Sequence, residues 1–380
     1  MLSQLYRTSL LSKLSQSQLL TLEILVWLLQ IHKQVKIERL ATHFPLPILM
    51  ESRRRHIQRF LKLPVLSVSL IWFPIIEAII KLKFKFGERL YLAIDRTQWK
   101  DKNLFVIALI LDRRGIPIYW QFLDKRGSSN LVEQQALLRP VLKLLKKYEL
   151  VIVGDREFHS VTLAAWLNQN KTYFVFRQKK STNIKLPRKA YQPLNTLGLA
   201  PGMKVFLSGI KVTQQKGFGK ANLVAYWKRA YRGKVEKEPW YLLTNFSNLS
   251  ETLKAYKKRV GIEAMFKDCK TGGYNLEGSL ASIERLTRLV LLIALAYTFS
   301  TLKGRAIKFS GQQKYIGRLR KIKQFLTKNS NFWIGLYGDV WIIAKEFVGQ
   351  WMEELMRANL NKLPFYQKGL RAMSIIQQAF

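Results

Sequence analysis

The sequence predicts an α/β protein whose mixed sheet carries a β-rich insertion and is flanked by helical regions. Three observations predict it: apolar residues recur at helical spacing through residue 85, strand-like alternation begins at 86, and helices alternate with strands over 130–178. We expect four parts. They are a helical region at 1–85, an α/β domain at 86–178 plus 251–305, a β-rich insertion at 179–250, and a C-terminal helical region at 306–380.

The N-terminal region contains three helical patterns. They are SQSQLLTLEILVWLLQIHK at 15–33, VKIERLATHF at 35–44 and, after Pro45 and Pro47, the basic ESRRRHIQRFLKL at 51–63. Short helices followed by a basic helix are typical of a helix-turn-helix DNA-binding domain. An ordinary helical cap domain with a solvated basic face has the same pattern, so both interpretations stay open.

Strand patterns begin with RLYLAIDRTQW at 89–99, LFVIALIL at 104–111 and IPIYWQFL at 116–123. The helix NLVEQQALLRPVLKLLKK follows, with Ser128 and Ser129 as candidate caps. The apolar strand VIVG then ends at Asp155, and the helix SVTLAAWLNQN leads to the strand TYFVFRQ. This order resembles the ribonuclease-H-like fold, in which the ends of the first and fourth strands lie side by side. Those ends hold Asp95 and Asp155.

The insertion reads as strands at 203–213, 222–230 and 239–246, separated by turns that contain Gly, Lys or Pro. Its GFGK, at 217–220, invites comparison with a nucleotide-binding loop. Such a loop needs a glycine five positions before the Gly-Lys pair and Ser or Thr after it, but this chain has Gln214 and Ala221 there. We therefore interpret GFGK as a basic hairpin turn and expect no nucleotide cofactor.

The charge of the chain points to a polyanionic partner. Lys and Arg number 64 against 24 Asp and Glu, which gives a formal net charge of +40. A field of that strength recruits nucleic acid. Ribosome-associated proteins and proteins bound to anionic membranes are alternatives, but they usually carry basic tails or blocks, whereas these cations are scattered through the whole length.

Other features narrow the class of protein. The apolar run at 289–302 has 14 residues, which are too few to cross a bilayer and suit a buried helix, so we expect no membrane partner. The N-terminus lacks a signal-peptide pattern, and a cytoplasmic, nucleoid-associated location is the expectation. A single cysteine, Cys269, and four scattered histidines give no zinc site. Any metal ion would need carboxylate ligands.

One stretch, YKKRVGIEAMFKDCK at 256–270, concentrates charge around Glu263. On a single helix, Tyr256, Arg259, Glu263, Lys267 and Lys270 would fall within about 60° of one direction. One face would then present a carboxylate, three cations and a phenol. Taken alone, this pattern equally suits a solvated helix with i,i+4 ion pairs.

Asp95 and Asp155 change that interpretation. Three carboxylates brought together by a sheet repel one another unless a divalent cation joins them, and hard oxygen ligands suit Mg²⁺ or Mn²⁺. Two such ions can activate a hydroxyl and stabilise the leaving oxygen of a phosphodiester. The cations near Glu263, Lys267 included, can then hold the phosphates of the strand that is cut.

The spacing Tyr256-x2-Arg259-x3-Glu263-x6-Lys270 resembles the Tyr-Arg-Glu-Lys signature of the insertion-sequence-four family of DDE transposases, bacterial cut-and-paste enzymes. GDREF at 154–158 is similar to the second-aspartate motif of that family. The resemblance covers about residues 86–305, and AIDRTQW around Asp95 is a weaker match.

The resemblance implies that Asp95, Asp155 and Glu263 bind two Mg²⁺ or Mn²⁺ ions and that Tyr256, Arg259 and Lys270 contact DNA phosphates. It also implies a hairpin on the transposon end. The implied partners are double-stranded DNA, as terminal inverted repeats and as target, and a second copy of the chain in a homodimer on DNA.

Several alternatives stay open at the level of sequence. Relatives insert a tryptophan into the DNA, and Trp227 and Trp240 are both candidates, although ordinary strand packing accounts for either. Glu157 either reaches the site or has a structural role. A non-catalytic DNA-binding protein derived from a transposase, and another metal-dependent nuclease of the same fold, are the competing functions.

Overall fold

The computed structural model describes residues 3–213, 221–229, 231, 236–320 and 327–379. Within these ranges the chain forms thirteen α-helices and ten strands. The helices are α1 (Gln4–Leu10), α2 (Gln16–His32), α3 (Ile37–His43), α4 (Met50–Phe60), α5 (Phe73–Lys83), α6 (Leu131–Leu144), α7 (Val161–Gln169), α8 (Leu249–Lys257), α9 (Val260–Cys269), α10 (Ile283–Phe309), α11 (Asn331–Phe347), α12 (Gly349–Arg357) and α13 (Leu363–Gln378). The strands are β1 (Arg89–Trp99), β2 (Lys102–Leu111), β3 (Arg114–Phe122), β4 (Glu149–Gly154), β5 (Tyr173–Arg177), β6 (Asn183–Lys185), β7 (Tyr191–Pro193), β8 (Lys204–Val212), β9 (Ala221–Tyr226) and β10 (Trp240–Thr244).

The chain divides into two compact units, and the first combines the two ends of the sequence, Met1–Ile75 and Lys267–Phe380. The helices predicted at 15–33, 35–44 and 51–63 are present as α2, α3 and α4. Helices predicted after residue 304 are present as well, and one buried cluster joins α10, α11 and α13 through Ile307, Ile334, Ile342, Met373 and Ile376.

Helix α10 contains the apolar run at 289–302, all of which is buried as predicted. The helix is much longer than that run, however, at 27 residues, and by length and composition it could cross a membrane. The length argument against a membrane span was therefore wrong. Since 89% of its apolar window is buried inside the protein, α10 has the surroundings of a core helix.

The second unit, Ile76–Phe266, is built on one mixed sheet with the strand order β3-β2-β1-β4-β5-β10-β9-β8-β6-β7. Strands β1, β2 and β3 are antiparallel neighbours, whereas β1, β4 and β5 run parallel. The predicted insertion extends this sheet, because β10 pairs with β5 and β9 pairs with β10. The short strands β6 and β7 were not predicted, and GFGK lies outside the described residues. The four-part domain division stays a prediction.

Two local predictions in this unit were wrong. Asp95 does not end its strand, because β1 continues four residues further in an antiparallel pair with β2. Helix α6 is capped by Asn130 and not by Ser128 or Ser129. The Asn130 side chain accepts from the Glu133 N–H, and the Glu133 carboxylate accepts from the Asn130 N–H, a reciprocal arrangement that satisfies two N–H groups of the helix start.

The prediction of a single helix over 256–270 is also wrong. Helix α8 ends at Lys257, α9 begins at Val260, and Lys270 follows the end of α9. Between them the N–H groups of Arg259, Gly261 and Ile262 bond three residues back, which tightens the chain into a turn. Gly261 lies against β2 at this point: a Cβ there would meet Ile110 Cγ2 at 3.0 Å. The glycine therefore permits close contact between the bent helix start and the sheet.

Candidate active site

Asp95 lies on β1, and Asp155 lies at a corresponding position directly after the neighbouring parallel strand β4. Ala93 on β1 is opposite Val153 on β4, and each aspartate follows two residues later. The Asp155 carboxylate accepts from the Glu157 N–H at 2.9 Å, which caps the short 3₁₀ turn after β4. The Asp95 carboxylate accepts from the Arg96 N–H at 2.8 Å. Each aspartate carboxylate is thus oriented by a backbone N–H group close to it in the chain.

Arg259 joins Asp95 to Glu263. Its Nη1 donates to Asp95 Oδ2 at 3.2 Å, and its Nη2 donates to Glu263 Oε1 on the first turn of α9. The side chains of Arg259 and Asp95 are each 16% exposed, whereas that of Glu263 is 48% exposed. The turn between α8 and α9 places this guanidinium between a buried and a more open carboxylate.

The electrostatics of Asp95 reflect its position. Burial raises its pKa to about 6, against the opposing effects of Arg259 and the Arg96 N–H, and Asp155 and Glu263 act in the same direction as burial. Asp155 and Glu263 therefore both lie within electrostatic range of Asp95. For Arg259, burial opposes the charged form, but Tyr256 and the carboxylates outweigh it and raise its pKa.

The three carboxylates fit a divalent metal in their donor chemistry, since their oxygens are the hard ligands that Mg²⁺ and Mn²⁺ prefer. Their present arrangement is not a formed metal site. Among the described residues, no three His, Cys, Asp or Glu side chains group closely enough to hold an ion. Arg259 supplies the positive charge between Asp95 and Glu263. A bound metal would therefore have to displace its guanidinium from at least one of them.

Tyr256, at the end of α8, is buried beside this centre. Its ring packs edge-on against Trp240 of β10, with centroids 5.0 Å apart. Burial raises the pKa of Tyr256, while the cations of Arg259 and Arg177 oppose that shift. Trp227 instead uses its indole Nε1 to donate to the Glu236 carbonyl at 2.8 Å. Trp240 is therefore the candidate tryptophan that contacts a predicted site residue.

Lys267 lies on α9 four residues after Glu263, as predicted, whereas Lys270 does not continue the predicted stripe. Lys267 is exposed in the last turn of α9, and Lys270, beyond the helix end, forms an ion pair with Glu277. Both belong to the first unit. Their contact with DNA stays a prediction.

Sequence reasoning missed a partly buried ion pair whose members lie close in the chain to the two aspartates. The Arg96 guanidinium donates to both oxygens of Glu157 at 3.0 and 3.1 Å, and Glu157 Oε1 also accepts from Ser129 N and Oγ at 2.9 Å each. Glu157 thus has the structural role considered for it. A usable signal was present, because an arginine follows each aspartate, as Asp95-Arg96 and Asp155-Arg156.

Sequence reasoning also missed a basic group formed from separate segments. Arg156 and Arg177 share the carboxylate of Glu238, which lies two residues before β10. The Arg177 guanidinium also interacts with the Tyr256 hydroxyl. These residues are far apart in the chain, so no spacing in the sequence signals that they meet.

Comparison with known proteins identifies one family. A family model described as "Transposase DDE domain" matches residues 92–299, more than half of the 380-residue chain. A search of curated proteins finds no match. Among 25 matching chains of solved structures is that of a piggyBac transposase synaptic complex with hairpin DNA. It is 13% identical, covers 75% of this chain and 71% of that chain, and has a TM-score of 0.41, which is too low to support an argument about the fold.

Proposed function

The chain belongs to the DDE transposase family, and we propose that it is an active cut-and-paste transposase of the insertion-sequence-four type. The observation that carries the proposal is the meeting of Asp95, on β1, with the Arg259 and Glu263 of the Tyr-Arg-Glu-Lys signature, level with Asp155 after β4. Family membership supports DNA cleavage and transfer. The finer assignment rests on the signature spacing and on this meeting of its residues.

A ribonuclease-H-like core is part of the proposal. The antiparallel β1-β2-β3 ribbon and the parallel β1-β4-β5 strands support it, since β1, which carries Asp95, is adjacent to β4, which Asp155 directly follows. The remaining strands, β6 to β10, extend the sheet from β5 and correspond to the predicted insertion.

Asp95, Asp155 and Glu263 would hold the divalent ions, which we propose to be two Mg²⁺ or Mn²⁺. When bound, such ions supply an activated hydroxyl and stabilise the leaving oxygen of a phosphodiester. Arg259, once released from the carboxylates, is placed to pair with a phosphate of the cut strand, because a guanidinium forms strong charge-assisted bonds to phosphate oxygens. Lys267 and Lys270 are proposed as further phosphate contacts.

The proposed reaction begins with hydrolysis at the transposon end. The freed 3′-hydroxyl then attacks the opposite strand to form a hairpin, which is reopened before the ends are joined to target DNA. The first cut and the reopening of the hairpin are hydrolyses by water, whereas hairpin formation and joining to target DNA are transesterifications by a 3′-hydroxyl, and none of these steps uses a nucleotide cofactor. Because two ends are joined together, we propose a homodimer on DNA, and a location on the bacterial nucleoid follows from that substrate.

The test is cleavage of labelled DNA that carries the inverted repeats flanking the gene. Asp95→Ala, Asp155→Ala and Glu263→Ala should abolish cutting in Mg²⁺ while end binding persists. Asp101→Ala is the matched control, because Asp101 is an exposed acid in the turn after β1 and should be dispensable. Full cleavage by Glu263→Ala would contradict the catalytic assignment.

The same assay separates the competing functions. A wild-type protein that binds the repeat ends but never cuts them would be a non-catalytic DNA-binding protein. Cutting of branched or unrelated DNA, without preference for the repeat ends, would identify a different nuclease.

A further inference from the structure

Three arginines converge beside the catalytic carboxylates, and only one of them pairs with those carboxylates. Arg259 bridges Asp95 and Glu263. Arg156, directly after Asp155, and Arg177, the last residue of β5, instead share the carboxylate of Glu238.

The pairing of this second group is incomplete. Glu238 Oε1 accepts from Arg156 and, at 3.4 Å, from Arg177 Nη2, so one oxygen serves two guanidinium groups. Arg177 Nε is buried and has no hydrogen-bond partner in the described part of the chain. A buried donor without a partner is costly, so the group has capacity for an anion with more acceptor oxygens than Glu238 offers.

The charge balance points in the same direction. Burial lowers the pKa of Arg177, Tyr256 opposes that shift, and the neighbouring cations of Arg156 and Arg259 add to it. Guanidinium groups remain protonated in proteins, so Arg177 keeps its charge despite these neighbours. A dianion or a row of phosphodiesters would relieve the repulsion among the three cations better than a single carboxylate does.

We propose that Arg156 and Arg177 form a phosphate subsite beside Asp155 and that Glu238 occupies it in the free protein as a substitute for a DNA phosphate. The proposal deepens the proposed function, on which it rests, by assigning a second place where the substrate backbone is held. A phosphate offers several oxygens to forked donors, so it can bond both guanidinium groups and also reach Arg177 Nε.

The backbone around these residues suits an exchange of partners. Arg177 lies within the sheet, where it is opposite Leu242 of β10, and Arg156 is in the 3₁₀ turn that Asp155 caps. Glu238 lies outside the strands, and its side chain is 35% exposed. Arg177, whose side chain is 20% exposed, is therefore anchored by the sheet, whereas Glu238 lies outside the strands. The side chain of Arg156 is 41% exposed, so both it and Glu238 are open to solvent.

The decisive variant is Glu238→Gln, which removes the competing charge but keeps the shape. We expect about a 10-fold increase in affinity for transposon-end DNA, since a hydrogen bond to a charged group is worth roughly that factor. Glu236→Gln is the matched control: it changes the charge equally, two residues away, at a half-exposed side chain whose cationic partner is Lys228 at 3.7 Å. It should leave the affinity within about twofold.

Binding is measured with EDTA present, so that cleavage plays no part. Arg156→Gln and Arg177→Gln should each weaken binding. A neutral methylphosphonate, placed at one phosphate near the cleaved end, should weaken binding by the wild-type protein. The same modification should not weaken binding by Arg156→Gln or Arg177→Gln any further. An equal gain from both glutamate variants, or no gain from Glu238→Gln, would overturn the subsite.

A second readout needs no DNA and checks that Glu238→Gln is folded. Inorganic phosphate should raise the thermal unfolding temperature of Glu238→Gln more than that of Glu236→Gln. Equal shifts would overturn the proposal even if end binding is intact. Conversely, a wild-type protein with no preference for the repeat ends would refute the proposed function, while a larger phosphate shift in Glu238→Gln would still support an anion subsite.

Discussion

The largely buried pair of Arg96 and Glu157 ties together the segments that carry Asp95 and Asp155, and its loss should be costly. Their side chains are only 16% and 14% exposed, and Glu157 additionally accepts two bonds from Ser129. Glu157→Ala would leave the Arg96 guanidinium buried without its counter-ion. It would also remove the acceptor of the Ser129 N–H and hydroxyl.

The magnitude follows from that burial. Removing one partner of a buried ion pair costs about 3–5 kcal/mol. In a unit of this size, each kcal/mol lowers the unfolding temperature by roughly 2–4 °C, so the expected loss is roughly 6–20 °C. Glu77→Ala is the control, because Glu77 pairs with Lys81 on an exposed face of α5 and its removal should cost about 1 kcal/mol at most.

The assay is thermal and urea unfolding of Glu157→Ala and of the control Glu77→Ala. Arg96→Ala and the variant that combines it with Glu157→Ala complete a double-mutant cycle. The double variant should be less destabilised than the sum of the single variants, because each single variant already breaks the pair. A loss below about 1 kcal/mol for Glu157→Ala, or strict additivity in the cycle, would refute the view that this pair is a buried structural link.

Two further substitutions test packing and DNA contact. Gly261→Ala would bring a Cβ to 3.0 Å from Ile110 Cγ2 and should lower the free energy of urea unfolding by about 1–3 kcal/mol. The control Gly369→Ala adds a Cβ in open space on α13 and should be neutral or stabilising. Equal effects of the two substitutions would contradict the close contact at Gly261. Lys270→Ala should reduce the slope of log affinity against log salt by about one, as one phosphate contact is lost, and an unchanged slope would count against that contact.

The sequence predicted the part of the site that depends on strands. Alternating and apolar patterns placed Asp95 on β1 and Asp155 after β4, and parallel pairing of these strands brings the two residues level. Such patterns depend on local burial, which a single sequence records well. The placement of Asp95 at the end of its strand was wrong, because β1 continues to Trp99 in its pairing with β2.

The helix around Glu263 shows where local patterns are insufficient. Helical spacing placed Arg259 and Glu263 on one face, and Arg259 does bond Glu263. At the break between α8 and α9, Gly261 lies close to Ile110, a contact between distant segments that periodicity does not record. The sharing of Glu238 by Arg156 and Arg177 was missed for the same reason.

The claim that the aspartates hold the catalytic metal ions is tested most directly by exchanging the ligand and the metal together. Asp155→Cys replaces a hard oxygen ligand with a softer sulfur, which binds Mg²⁺ poorly and Mn²⁺ better. The account predicts that this variant binds transposon ends, fails to cut them in Mg²⁺ and regains cleavage in Mn²⁺. Undiminished cutting in Mg²⁺, or a folded, DNA-binding variant that Mn²⁺ does not restore at all, would contradict direct coordination by Asp155.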